Sequence, residues 1–386
     1  MNIAVVCDSL TFMKSGNIVS TLRFAELLNR RGHKIVFISS KDGNKDSLTF
    51  LKGMKVYRFF SMPLPGSSGQ YHVSLPTVSK LRKVLVDEKI ELVHLIDPTL
   101  ASLVAIRAAG QLGIKKVAHG HTQPENLYMQ LPKIFRPHRL TPLIYWLMLE
   151  VYHRSDALVC PSEFAGCLLR KQDPKLEYSV ISNGVDLKRF RKSSPVSFMK
   201  KYGLSTEHKH LLFVGRLSAE KNIETLIRAM PHILSGLKDA HLVIVGSGKE
   251  RPKLESLVNR LGLKGKVDFL GRIPDEELHL AYNAACIFVL PSMAELEGMV
   301  VLEAMACGKP ILVANSRNSA SVELVQGNGF AFKPKDPKDL ASKALILLTD
   351  QKLMSKMSKQ SLRNSKHYDI SNSVTKLEKL FVKVIS

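Results

Sequence analysis

The sequence predicts an α/β protein of two doubly wound domains in tandem, each a largely parallel sheet flanked by helices. Three observations predict it. Short aliphatic and β-branched runs alternate with helical patterns along the chain, the pattern of βαβ units. The alternation stops once, at a polar and basic stretch over 188–210, and then restarts. The 386 residues, 45% of them hydrophobic, are enough for two separate cores.

In order, the first half offers the strands "NIAVVC" (2–7), "KIVFIS" (34–39), "LVHLI" (92–96), "KVAHGH" (116–121), "ALVCPS" (157–162) and "YSVISNG" (178–184). Helical spacing of apolar residues lies between them, as over 20–31 and 98–113. The second half offers "HLLFVGRLS" (210–218), "HLVIVGSGK" (241–249), "KVDFLGRIP" (266–274), "CIFVLPS" (286–292) and "KPILVAN" (309–315). The expected domains are 1–190 and 191–364, joined by a linker near 188–205. Ligands of open parallel sheets sit at the carboxyl ends of the strands, so the active site is expected in a cleft between the domains.

Bulk composition narrows the function. The net charge is +22. Residues 1–190 contribute +11, 191–350 contribute +5 and 351–386 contribute +6. Such a balance serves solubility or meets an anionic partner, either nucleic acid or an acidic membrane surface. The chain has no basic tract studded with aromatic residues and no zinc-finger spacing, which argues against nucleic acid. No apolar run is long enough to span a bilayer; the best, "LTPLIYWLMLEVY" (140–152), is short and contains Pro142 and Glu150. "MNIAVVCDSL" reads as a first strand rather than a signal peptide. Cys7, Cys160, Cys167, Cys286 and Cys307 are odd in number and form no CxxC, which points to a reducing cytoplasm and no structural zinc.

Three stretches carry chemistry. In "SMAELEGMVVLEAMACGKP" (292–310) an apolar helix over 299–307 holds one charge, Glu303, with Gly298 just before it and Glu295 eight positions upstream. A buried carboxylate is costly without a partner. A ribose diol could donate to Glu303, sugar hydroxyls could meet Glu295, and the first N–H groups of the helix attract phosphate. The alternative is a structural Glu bonded to backbone or to an Arg. In "FVGRLSAEKNIETLIRAM" (213–230), Arg216 follows a strand end and Lys221 stands near a helix start. Two cations there suit a diphosphate whose leaving-group charge grows in the transition state, or are ordinary surface cations. In "VAHGHTQPENLYMQ" (117–130) a strand delivers His119 and His121. A histidine there can donate to a sugar hydroxyl or phosphate, or sit satisfied in a core. Weaker signals are Gly16, between the first strand and helix, and the short GxG of Gly246 and Gly248. No metal-ligand spacing is present.

Together these motifs resemble the retaining glycosyltransferases of family 4, which have the two-domain GT-B fold. "RGH" (31–33), "HT" (121–122), "PSEFA" (161–165), "ISNGVDLKRF" (181–190), "GRLSAEKN" (215–222), "GSG" (246–248) and the E-x7-E of Glu295 and Glu303 running into "EAMACGKP" (303–310) fit in order. The resemblance implies two Rossmann-like domains with the active site in the interdomain cleft, and a last helix over 365–386 that packs back on the first. It implies that Arg216 and Lys221 bind the donor diphosphate and that Glu303 holds the ribose. Glu295 and the backbone N–H groups of Gly298, Met299 and Val300 would hold the transferred sugar and phosphate, and the backbone at Arg272 and Ile273 the base. Gly16 would face the phosphates or the acceptor, and His121 would approach the sugar. The implied donor is a nucleoside-diphosphate sugar, a UDP-sugar by preference, acting as substrate with no cofactor and no metal. The implied reaction is front-face displacement, in which the departing phosphate takes the acceptor's proton and the protein works by positioning and charge stabilisation.

A lipid acceptor is expected from charge and pattern. If the tail belongs to the first domain, that domain carries +17 against +5, an asymmetry suited to an anionic bilayer. "PTVSKLRKVLVDEKI" (76–90) places Val78, Leu81 and Leu85 on one side with Lys80, Arg82 and Lys83 nearby, and resembles the membrane-facing helix of lipid glycosyltransferases. A solvated face with a Lys83–Asp87 pair fits it equally. "LPKIFRPHRLTPLIYWL" (131–147) adds Arg136, Arg139 and Trp146, suited to an interface or to core packing. "HTQPEN" resembles a stretch in transferases that glucosylate diacylglycerol. The expectation is a hexosyltransferase peripheral on the cytoplasmic face of the membrane. The alternatives are a soluble or polysaccharide acceptor, or a non-enzymatic basic binding protein.

Overall fold

The computed structural model describes residues 1–10, 16–41, 46–63, 72–121 and 140–386. They form two compact units, 1–183 with 370–386, and 184–369.

In the first unit the strand Asn2–Val6 lies between Lys34–Lys41 and Leu92–Leu95, and Lys115–His119, Ala157–Cys160 and Ser179–Val180 follow on the far side. All these pairings are parallel. Every residue of Leu92–Leu95 is buried, as expected of a strand covered by helices on both faces. The other edge differs from a simple doubly wound sheet. Met54–Pro63 pairs in parallel with Lys34–Lys41, but Ser47–Leu51 and His72–Ser74 pair with it antiparallel. Lys52 (φ 50°) and Gly53 (φ 80°) make the two-residue turn between Ser47–Leu51 and Met54–Pro63. Two consecutive left-handed residues are what a tight hairpin turn requires.

The chain returns to this unit at its end. Helix Ile370–Ile385 buries Ile370, Val374, Leu377 and Phe381, one stripe at helical spacing, in the same core as Ile3, Val5 and Phe37. The 31–33 motif secures it: Arg31 Nη1 and His33 Nε2 each lie 2.7 Å from a Glu378 carboxylate oxygen.

The second unit is a six-stranded sheet in the order Val267–Gly271, Ala240–Val245, Lys209–Val214, Ile287–Leu290, Ile311–Ala314, Gly329–Phe332. Every pairing is parallel. Sequence reading did not single out the last strand. The stretch expected as a linker is folded into this unit. Phe190, Phe198, Met199 and Leu204 are buried in its core, and Val196–Tyr202 is a helix that ends at left-handed Gly203. The chain enters the unit at 184 and leaves it at 369, and these points adjoin: Val185 N–H donates to Tyr368 O at 2.7 Å.

The expected charge asymmetry is not present. The first unit carries +12 and the second +10, because the cations of 351–369 belong to the second. Among the described residues no helix is long and apolar enough to cross a membrane, and all five cysteines are free.

Candidate functional site

Strand order marks the site in the second unit. From Lys209–Val214 the chain proceeds outward through Ala240–Val245 and Val267–Gly271, then jumps to the other side at Ile287–Leu290. The carboxyl ends of Lys209–Val214 and Ile287–Leu290 therefore flank a topological switch point, where open parallel sheets leave a crevice. Arg216 and Lys221 follow the first strand; Glu295, Gly298 and Glu303 follow the second.

Backbone packing builds the first corner. A Cβ on Gly246 would lie 1.8 Å from Gly215 O, and one on Gly248 2.3 Å from Leu217 O. The glycines of "GSG" thus let two strand ends meet backbone to backbone, with Leu217 N–H donating to Ser247 O at 2.9 Å. The contact fixes the chain on both sides of Arg216. A short 3-10 turn, Ala219–Lys221, leads through left-handed Asn222 into helix Ile223–Gly236. Glu220, fully buried, is the anchor. Its Oε1 accepts from Ser218 Oγ at 2.5 Å and from Arg216 Nη2 at 3.3 Å, and its backbone oxygen accepts from Met293 N–H at 2.7 Å. Sequence reading missed Glu220, because "SAEKN" gives no sign that the acid turns inward.

The second corner begins at Ser292. Ala294–Glu295 forms a short ladder with Asn318–Ser319. Gly298 (φ 89°) then opens helix Met299–Ala306 with no side-chain cap. The first N–H groups of that helix have no partner within it, and its dipole makes this end electropositive. Lys221 joins the two corners: its Nζ lies 2.5 Å from Glu295 Oε1, with 14% of each side chain exposed. Sequence reading gave these residues separate tasks; in the structure they are one ion pair.

Glu303 is buried on the expected helix, and Tyr282, itself fully buried, donates its hydroxyl to Glu303 Oε2 at 2.9 Å. The protein itself therefore supplies a partner to this carboxylate, through a residue missed in the sequence. The backbone at Arg272 and Ile273 follows strand Val267–Gly271, with Arg272 exposed and Ile273 buried.

The first unit has its own switch point, between Asn2–Val6 and Leu92–Leu95. Asp8 is buried there, accepting at Oδ1 from Ser74 Oγ, and burial pushes its carboxyl up to about 7 against the hydrogen bonds that favour its charge. Sequence reading did not single it out. Gly16 is the exposed first residue of helix Gly16–Arg30. His121 stacks on His119 with ring centres 3.9 Å apart, and His119 Nδ1 lies 3.2 Å from His94 Nε2. Burial lowers all three, His94 to about 3 and His121 to about 4, so they are neutral near pH 7. With Ser20, Thr21 and Phe24 they line a small internal cavity.

On the surface, Arg82 and Lys83 are exposed on helix Val78–Asp87, while Lys80 pairs with Asp46 at 2.5 Å. Leu81 and Leu85, on the apolar side of this helix, are core residues of the first unit. No Lys83–Asp87 pair forms among the described residues. Trp146 is 57% exposed on helix Leu140–His153. Arg136, Arg139 and most of "HTQPEN" lie outside the described residues. Among the described residues no group of three His, Cys, Asp or Glu is arranged to hold a metal ion.

Two family models account for most of the chain. Residues 16–189 match Glycosyltransferase Family 4, and residues 197–363 match Glycosyl transferases group 1. The chain belongs to the GT-B glycosyltransferases. A 172-residue stretch is 39% identical to the uncharacterized glycosyltransferase MJ1607 of Methanocaldococcus jannaschii, covering 44% of each chain, less than half that relative's length. The alpha-monoglucosyldiacylglycerol synthase of Streptococcus pneumoniae is 26% identical over 319 residues, 81% of this chain and 70% of that one. The structure of Anabaena Alr3699/HepE in complex with UDP-glucose superposes with a TM-score of 0.78 at 20% identity, over 99% of this chain and 100% of that one, a likeness of fold.

Proposed function

We propose that the second unit binds a UDP-hexose at its switch point and that the hexose passes, with retention and without metal, to a hydroxyl of a membrane lipid such as diacylglycerol. The observation that carries the reading is the convergence of Arg216, Lys221 and the uncapped N-terminus of helix Met299–Ala306 on one strand-end crevice. Three positive features at one point match a diphosphate, which bears the developing charge of this reaction. Glu295, held by Lys221, meets the sugar hydroxyls. Glu303 accepts from the ribose. No carboxylate is assigned as nucleophile: the departing phosphate oxygen takes the acceptor's proton, and the chain supplies position and charge. His121, neutral near pH 7, offers a hydrogen bond rather than a charge.

The uridine donor is proposed from the UDP-glucose bound by a protein of the same fold, and the lipid acceptor from the name of the pneumococcal relative. The test has two stages. UDP-, GDP- and ADP-hexoses are screened without acceptor for released nucleotide, and the preferred donor is then supplied with diacylglycerol in detergent and with soluble glycans. The reading expects UDP release, a hexosyl lipid and an α-anomeric proton for an α-donor. Preference for a GDP- or ADP-sugar, an inverted product, or transfer only to soluble glycans would each overturn its part. Failure of every donor to raise the melting temperature would favour a non-enzymatic scaffold.

A further inference from the structure

Helix Gln351–Ser365, in the second unit and outside the site above, contains four cations and no acid. Lys352, Lys356, Lys359 and Arg363 recur at intervals of four, three and four residues, so they form one exposed stripe. At 1.5 Å per residue the stripe runs roughly 16 Å. The helix is firmly held from behind. Met357 is buried, Ser361 Oγ donates to Lys309 O at 2.7 Å, and Asn364 Nδ2 donates to Gln326 O at 3.1 Å.

Some cations on or beside other helices of this protein are neutralised within one turn. Arg154 pairs with Glu150, Arg228 with Glu224, Arg251 with Glu255 and Lys343 with Asp339. Among the described residues none of the four stripe cations has a carboxylate partner, although like charges at this spacing oppose one another. The stripe also lacks what a single-strand binder needs. The helix contains no aromatic residue on which a base could stack. A row of bare cations along one exposed helix face suits a plane of anionic headgroups, which asks for charge spread over a surface.

We infer that Lys352, Lys356, Lys359 and Arg363 dock the second unit on an anionic phospholipid bilayer. The choice of a bilayer as the anionic partner rests on the proposed lipid acceptor; the unpaired stripe does not. Each cation near an anionic surface is expected to strengthen partition about fivefold, and the four together on the order of several hundredfold. The attraction falls within a Debye length of about 10 Å at 0.1 M salt, so binding weakens as salt rises.

The experiment is flotation of the full chain with vesicles of phosphatidylcholine alone or mixed with phosphatidylglycerol, at low and high salt. Two variants accompany it: the neutral K352Q/K356Q/K359Q/R363Q, and the charge-keeping K352R/K356R/K359R. Expected are flotation only with phosphatidylglycerol, its loss at high salt, at least a tenfold weaker partition of the neutral variant, and unchanged binding by the arginine variant. Equal melting temperatures and equal donor hydrolysis show that both variants are folded. Neutral variant and parent floating alike, no flotation of the parent, or tighter binding to a duplex DNA than to the vesicles would overturn the inference. The two readings fail separately. Flotation with transfer only to soluble glycans removes the lipid acceptor and leaves the docking surface. A hexosyl lipid made in detergent without flotation does the reverse.

Discussion

Arg216 sits where two strand-end backbones lock together, and its guanidinium reaches the buried Glu220. A cation fixed this way is organised before any donor arrives, which is the condition under which charge stabilisation accelerates a reaction. Arg216→Ala should lower kcat of the folded enzyme by about 10²–10³, as for loss of one oxyanion donor; steady-state kinetics with the preferred donor would check this. Tyr282 acts on stability instead. Tyr282→Phe leaves one Glu303 oxygen without its 2.9 Å donor and should cost about 1.5–3 kcal/mol, the range for hydrogen bonds to charged groups, read by chemical denaturation. Asp8 makes stability depend on pH. Its carboxyl titrates near 7 in the folded chain against an ordinary 3.8, so the folded state holds a proton that the unfolded chain has lost between these values. Its contribution is complete below pH 3.8 and disappears as pH rises through 7, on the order of 4 kcal/mol in full. Parent and Asp8→Asn should therefore diverge in melting temperature from about pH 4 to about pH 7, the parent falling. The buried histidines lose stability in the opposite direction, below pH 6.5, and cancel in that difference. Arg216, Lys221, Glu295 and Glu303 were legible in the sequence because each is a charge beside an apolar run or a strand end. Glu220, Tyr282 and Asp8 were not, because only tertiary packing turns them inward.

Among the elements, the apolar runs declared themselves. The central parallel strands, such as Leu92–Leu95, Ile287–Leu290 and Ile311–Ala314, are short, aliphatic and buried. Ser47–Leu51 did not, because Leu48 and Phe50 alternate with polar residues and stand 47% and 67% exposed at the sheet edge. The stretch 188–205 misled for a related reason. Its cations dominate the composition, while the few residues that fold it, Phe190, Phe198 and Met199, are scattered between them. The "GSG" turn shows how a weak signal becomes specific in three dimensions. Read alone it is a strand–helix turn; in the fold it is the only way Ala240–Val245 can end against Gly215. Gly246 also holds φ at 138°, which L side chains rarely adopt. Gly246→Ala should displace Gly215 and with it Arg216. A chain that still folds is expected to lose activity by about as much as Arg216→Ala does, about 10²–10³. Kinetics on the folded fraction, sized by circular dichroism, would decide the point; full activity would mean that the backbone contact does not position the cation.

At the scale of the whole molecule, the two units are not two consecutive pieces of sequence. The chain completes the second unit and then gives its last seventeen residues back to the first. Helix Ile370–Ile385 places Ile370, Val374, Leu377 and Phe381 in the first core, each 4% exposed or less, and ties Glu378 to Arg31 and His33. Full burial of an aliphatic or aromatic side chain contributes about 1.5–3 kcal/mol, so four represent roughly 6–12 kcal/mol. A domain's net stability is about 5–15 kcal/mol. Deletion of residues 370–386 should therefore unfold the first unit while the second, whose core lies wholly within 184–369, stays folded. Hydrogen exchange followed by mass spectrometry would resolve the two: protection should vanish from Asn2–Val6 and Leu92–Leu95 and persist in Lys209–Val214 and Ile287–Leu290. Phe381→Ala is the milder form of the same test, expected to cost the first unit about 3–5 kcal/mol. Equal loss of protection in both units would show that they fold as one. Retained protection throughout would show that the helix packs on the first core without sustaining it.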